Sequence, residues 1–217
     1  MRKSIIALAA LSMLGNATAA SAAISISSAP GSASYTGAFT YDFETAAPVT
    51  GGAIRTGSHS GLAAQPFGST GNYWTLGPSD GATGTMDLAA FSAIATIGFL
   101  WGSVDNWNWV DVLGRNGAVL KTFNGVDIAP SPNGSWTAPV MNPYATIAIT
   151  GADRANIGAL RFRSTTNAFE VDNFAIGAVP EPASWALFVL GFGALGGAMR
   201  RRTGAMAASR DRLVFAN

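Results

Sequence analysis

The chain of 217 residues has no cysteine and a single histidine, His59. The first absence excludes disulfides and thiolate metal sites. The second leaves one imidazole for base chemistry, and it sits in Gly57-Ser58-His59-Ser60-Gly61, a loop composition in which histidine is ordinarily solvated. Charge is also scarce, at 12% of residues, and the formal balance of +1 misleads about its distribution. Between residues 24 and 179 six basic residues (Arg55, Arg115, Lys121, Arg154, Arg161, Arg163) face ten acidic ones, a balance near −4. Without clustered lysine and arginine, nucleic acid is excluded as a partner. The Gly-rich stretch Gly81-Ala82-Thr83-Gly84 lacks the Gly-Lys-Ser/Thr of a phosphate loop. Only Glu44 and Glu170 are glutamates between residues 24 and 179, which narrows the choice of a buried general acid. Carboxyl pairs for glycoside hydrolysis are available from Asp42, Glu44, Asp105, Glu170 and Asp172, but no spacing sets two at a catalytic separation. The expectation is a protein that is not an enzyme.

Helical patterning is absent except at the two ends. Met1-Arg2-Lys3, the apolar run 5–14 and the small residues Ala17-Thr18-Ala19 and Ala20-Ser21-Ala22 form the three parts of a secretory signal peptide, assigned to residues 1–23. Such a peptide calls for the secretion translocase and signal peptidase. At the other end, residues 183–199 carry no charge and rise about 25 Å as a helix, at the short end of a bilayer span. Arg200, Arg201 and Arg202 follow it and stay cytoplasmic by the positive-inside rule, so everything before Pro180 lies outside the cytoplasm. Pro180-Glu181-Pro182 cannot continue a helix, because each proline fixes φ and extends its predecessor. It presents an extended segment that a membrane-bound processing enzyme can grip.

Pro180-Glu181-Pro182-Ala183-Ser184-Trp185-Ala186, with Gly191-Phe192-Gly193 and Arg200-Arg201-Arg202, closely resembles the PEP-CTERM sorting signal in its Trp-Ala variant. The resemblance covers residues 179–217. It implies recognition and tail removal by exosortase, an integral-membrane cysteine transpeptidase-like enzyme, at Pro180, Glu181, Pro182, Trp185 and the three arginines. It also implies a Gram-negative host that makes extracellular polysaccharide.

Between these signals the chain reads as short β segments punctuated by Gly, Asn, Pro and Ser. Residues 24–37 are expected as a flexible lead-in and 38–178 as one β-sandwich domain. Residues 38–45 alternate Phe39, Tyr41 and Phe43 against Thr40, Asp42 and Glu44, a half-buried strand by period. Further strands are expected at 72–76, 83–88, 94–101, 107–113, 119–123, 144–150, 157–164 and 169–176. The segment 107–113 is taken as the hairpin partner of 94–101, and Asn116-Gly117 as a type I′ turn. Nine or ten strands without helices predict an all-β, antiparallel two-sheet sandwich, jelly-roll-like.

Three tryptophans fall within nine residues in Trp101-Gly102-Ser103-Val104-Asp105-Asn106-Trp107-Asn108-Trp109. Trp107 and Trp109 share one strand face and Val110 and Val112 the other. If the valines are core, the indoles stand outside as a platform for sugar rings, with Asp105 and Asn108 fixing orientation; the alternative is that the tryptophans pack the core. This stretch resembles a family of exosortase-dependent surface proteins built around a Trp-Gly-Ser-x-Asp segment. The resemblance spans residues 36–177 and implies a shared β-rich surface domain with no reaction attached. Tyr41-Asp42-Phe43-Glu44 and Glu170-Val171-Asp172-Asn173-Phe174 lie at the two ends of the domain. Adjacent terminal strands would bring Asp42 and Glu44 beside Asp172, a candidate Ca²⁺ site; the alternative is three solvent-facing acids. The reading is a secreted surface or matrix protein associated with extracellular polysaccharide. Its alternative is a carbohydrate-binding module, with a glycoside hydrolase third.

Overall fold

The computed structural model describes residues 23–31, 37–179, 187–196 and 199. The expected signal peptide, apart from Ala23, lies outside the described residues, as do Pro180, Glu181, Pro182, Trp185, Arg200, Arg201 and Arg202. Among the described residues eleven strands form two antiparallel sheets: β1 (Ala23–Ala29), β2 (Val49–Gly51), β3 (Ala53–Thr56), β4 (Asn72–Leu76), β5 (Thr83–Asp87), β6 (Ile94–Gly102), β7 (Asn108–Gly114), β8 (Val119–Asn124), β9 (Tyr144–Thr150), β10 (Ile157–Ser164) and β11 (Phe169–Ala178). One sheet runs β1-β9-β6-β11-β4-β3 and the other β2-β5-β10-β7-β8.

Period-2 alternation decides what each strand puts between the sheets. Ile97, Phe99 and Trp101 of β6, Ala145, Ile147 and Ile149 of β9, and Trp74 and Leu76 of β4 face Val110 and Val112 of β7 and Leu160 and Phe162 of β10. Phe162 is the hub of this interior. Its ring meets Trp74, Phe99 and Phe169 at 5.4 Å each and Phe174 at 5.8 Å, all edge-on. These four partners belong to the opposite sheet, so one side chain ties the two layers together. Edge-to-face geometry sets the positive rim of one ring on the negative face of another.

β11 keeps its phase only to Asp172. Phe169 and Val171 point into the core, while Glu170 and Asp172 point to the other side. A bulge between Asp172 and Ala175, with Asn173 at φ 54°, inserts one residue and returns Phe174 to the core. The outer face beneath Glu170 and Asp172 is roofed by residues 57–71. Gly102 permits that close roof, since a Cβ there would fall 2.9 Å from Pro66 Cγ and 3.0 Å from Glu170 Cβ.

Four local expectations are corrected. Residues 24–29 are not a loose lead-in but most of β1, paired along β9 with Ile24 and Ile26 packed on the core and the serines between them outward. Residues 38–45 make only an isolated bridge, Tyr41 to Phe174. The chain turns at Phe43 (φ 60°), which sends that ring into the core against Phe174 and Trp74. β7 is not the hairpin partner of β6: both edges of β6 are occupied by β9 and β11, so the chain crosses to the second sheet and pairs β7 with β8 and β10. The β7–β8 hairpin forms, but only Gly117 takes positive φ (79°). Its three-residue loop, with Gly117 N–H on the Gly114 carbonyl, is a type I turn closed by a left-handed glycine.

A helix covers residues 187–196, with Leu187, Phe188, Val189, Leu190 and Phe192 exposed. Among the described residues no helix is long and apolar enough to cross a membrane.

Truncating the hub gives the first prediction. Phe162→Ala is expected to cost about 3–5 kcal/mol, the range for a large aromatic lost from a core, against about 0.5 kcal/mol for Val119→Ala at the exposed start of β8. Guanidinium unfolding monitored by tryptophan fluorescence reads both; comparable losses would contradict an aromatic hub.

Candidate functional site

The crossing from β6 to β7 builds one wall of a polar cleft. β6 ends at Gly102, Ser103 takes φ 40°, Val104 plugs into the core, and the chain reaches β7 through Asp105, Asn106 and Trp107. A cleft of about 630 Å³ opens where this crossing meets loops 58–64 and 133–136 and the start of β11. His59, Asp105, Trp107, Asn133, Trp136 and Glu170 line it.

A single buried amide braces the loops around the cleft. Asn142 Oδ1 accepts from Ser103 N (3.0 Å) and Phe67 N (3.1 Å), and its Nδ2 donates to the carbonyls of Ser135 and Ala138 (3.0 Å each). All four of its hydrogen-bonding positions are filled, so the side chain is fully buried without an orphaned group. Asn124 secures the other half, donating to the carbonyls of Asn106 (2.9 Å) and Asn108 (3.0 Å).

Two carboxyls share the cleft. Glu170 accepts from the Ser103 hydroxyl and from Ala64 N (2.8 Å). Burial raises its pKa against the pull of those donors. Asp105 is pushed up to about 7, first by burial and then by the negative charge of Glu170, with the Trp107 amide opposing. A carboxyl in that range exchanges protons near neutrality.

The four residues expected to hold a glycan separate into three environments. Asp105 and Trp107 meet in the cleft, where Trp136 joins them. Asn108 is fully buried instead: its Oδ1 accepts from Ser164 Oγ (2.6 Å) and its Nδ2 donates to the Ala168 carbonyl (3.3 Å). It holds β7 to β10 and to the segment before β11. Trp109 lies half-buried on the outer face of the second sheet, with the Arg163 guanidinium 5.3 Å from its ring centroid. Beside it Asp111 accepts from Thr122 Oγ1 (2.7 Å), Arg163 Nε (2.8 Å) and Arg161 Nε (2.9 Å). Burial works against its charge, but hydrogen bonds from Arg163, Thr122 and Arg161 outweigh it and hold the carboxyl below its usual range. Trp136 was not anticipated. A tryptophan in Asn133-Gly134-Ser135-Trp136, too rich in turn residues for a core strand, was the signal available.

The three acids considered for Ca²⁺ are near one another, through the Tyr41–Phe174 bridge, but each is occupied by the protein. Glu44 accepts from Asn72 N (2.6 Å) and Nδ2 (3.2 Å), and Asp42 from Glu44 N (3.2 Å). Asp172 accepts from Ser69 Oγ (2.5 Å) and Asn173 N (2.7 Å). Burial, then the charges of Asp42 and Glu44, push Asp172 up to about 7. Among the described residues no group of three or more His, Asp or Glu side chains is arranged to hold a metal ion. His59, also on the cleft rim, has its Nε2 3.1 Å from the Thr56 carbonyl.

The raised carboxyls set a pH dependence. Asp105 and Asp172 each rise from 3.8 to about 7, so between those values the folded chain holds more protons than the unfolded one. Stability then falls as pH rises through that window. The thermal midpoint is expected to be higher at pH 5 than at pH 8, with Asp172→Asn flattening the slope; a midpoint rising with pH would refute the assignment.

Comparison with known proteins identifies residues 178–202 as a PEP-CTERM protein-sorting motif. No curated protein matches the chain in sequence. Among solved structures, the fold is similar to the family 11 carbohydrate-binding module of a cellulosomal cellulase of Clostridium thermocellum, at 18% identity and a TM-score of 0.35, over 66% of this chain and 95% of that one. It is also similar to the enzymatically active domain of tailspike protein 4 of bacteriophage CBA120, at 13% identity and a TM-score of 0.34, over 72% of this chain and 19% of that one. Neither likeness is close enough to bear on function.

Proposed function

We propose that this chain, which carries a PEP-CTERM sorting motif, is an exported surface or matrix protein without a catalytic role, whose jelly-roll-like sandwich associates with extracellular polysaccharide. The observation that carries the reading is where the motif begins. Residue 178, its first, is also the last of β11, and Val179 N still donates to the Ala93 carbonyl (3.0 Å). A cut within the motif therefore leaves every strand intact. Among the described residues, every strand of the domain ends at or before the first residue of the motif.

In this reading the translocase and signal peptidase act on residues 1–23, the apolar segment 183–199 holds the precursor in the inner membrane with Arg200, Arg201 and Arg202 inside, and exosortase removes the tail. The exposed apolar side chains of helix 187–196 support such a burial in lipid, since in water they have no cover.

A second reading, a dedicated carbohydrate-binding module, is favoured by the cleft alone. Trp107 and Trp136 bring aromatic surface to a concavity edged with carboxyl and amide groups, the composition of sugar sites. A glycoside hydrolase remains third: Asp105 and Glu170 share the cleft, yet both are shifted toward the neutral form, whereas the reaction needs one carboxylate ionised.

The test of sorting is the intact mass of the protein recovered from the cell surface and medium. The expected mass lacks both the signal peptide and the residues beyond the 180–182 region. A mass ending at Asn217 would overturn release and make the tail a permanent anchor.

A further inference from the structure

The wall of the Asp105 cleft contains neither lysine nor arginine. Its ionisable members are Asp105, Glu170 and His59, and the two carboxyls are 4% and 1% exposed. Above about pH 7, the value to which Asp105 is pushed, the ionised wall repels a carboxylate or sulfate and has no cation to offset it. Among the described residues two polar atoms of this wall lack a hydrogen-bond partner, Asp105 Oδ1 and Trp107 Nε1. A carboxylate oxygen accepts and an indole N–H only donates. A sugar hydroxyl does both, receiving from Trp107 and donating to Asp105. Neither atom exposes surface to the cleft, so a ligand group reaches them only by displacing the side chains around them, a smaller displacement for a hydroxyl than for a carboxylate or sulfate. Gly134 keeps the Asp105 side unobstructed, since a Cβ there would come within 3.3 Å of Oδ2. Trp136, 55% exposed, offers an apolar face to the C–H edge of a ring.

Resting on the polysaccharide reading above, we propose that this cleft is a subsite for a neutral sugar residue, which packs on Trp136 and gives one hydroxyl to Asp105 and Trp107, and that it rejects uronic and sulfated sugars. Specificity here comes as much from repulsion as from contact. Trp109 and Asn108 take no part, the first facing away on the second sheet and the second sealed inside it.

The test is affinity electrophoresis of the full chain in a sugar-free amine-oxide detergent, run near pH 8.5 so that Asp105 carries its charge. The gels contain a neutral polysaccharide (dextran, mixed-linkage β-glucan, mannan or galactan) or an anionic one (alginate or polygalacturonate). Retention by at least one neutral polymer is expected, with the anionic ones at least about tenfold weaker, the ratio that a 1.4 kcal/mol difference produces. Trp107→Phe, which removes the indole N–H, is expected to weaken neutral binding about tenfold by the same conversion. Asp105→Asn, of the same shape but uncharged, is expected to narrow the gap between neutral and anionic polymers. Thermal midpoints of both variants separate lost binding from lost folding. Polyuronates binding as well as neutral polymers, or a folded Trp107→Phe that binds as the parent does, would overturn the subsite while leaving the polysaccharide reading intact. Retention by none of the polymers would overturn both.

Discussion

Everything in this domain depends on one contact, the Phe162 ring set edge-on among Trp74, Phe99, Phe169 and Phe174. A two-sheet sandwich without disulfides has only side-chain packing to hold its layers in register. Aromatic rings serve that purpose well, because each buries a large area in few rotamers and prefers a definite angle to its neighbour. Fixing β10 against β11 through this cluster fixes what β11 carries on its other face.

That other face is where the chemistry lies. Strand alternation makes Glu170 and Asp172 the necessary counterparts of Phe169 and Val171, so a tight core implies two acids on the outside of the same strand. The 57–71 roof covers them, and desolvation rather than any cation governs their protonation. Hydroxyls and amides from Ser103, Ala64, Ser69 and Asn173 satisfy them. A buried carboxyl with such donors is tolerated, but it weakens the fold as it ionises. The domain thus carries a stability cost on one sheet face, and the cleft gains a polar floor.

Much of the fold was legible beforehand because alternation is a local property. Strands β4 to β11 follow from their own period, and Trp101 and the valines of β7 reveal their face without reference to anything distant. Two of the failures were matters of pairing, while β2 and β3, of three and four residues, were not expected at all because they are too short to show a period. Residues 38–45 alternate as well as any strand, yet have almost no free edge to pair with. β1 alternates Ile with Ser but was hidden by its small-residue composition. The β6–β7 hairpin was excluded by neighbours far along the chain, β9 and β11. The cleft was half visible. Asp105 and Trp107 stood in a dense motif, but nothing local brought Trp136 beside them or sent Asn108 inside, and the bracing by Asn142 joins residues up to 75 positions apart.

By itself the sequence determined the sorting motif, the antiparallel two-sheet class and the alternating faces of most strands, because each depends on the order and spacing of nearby residues. Only the tertiary structure decided which strands share an edge, which tryptophan faces the cleft and which acids are buried. Those outcomes depend on competition for edges and on which loops close over a face, and no residue carries that information in its immediate surroundings.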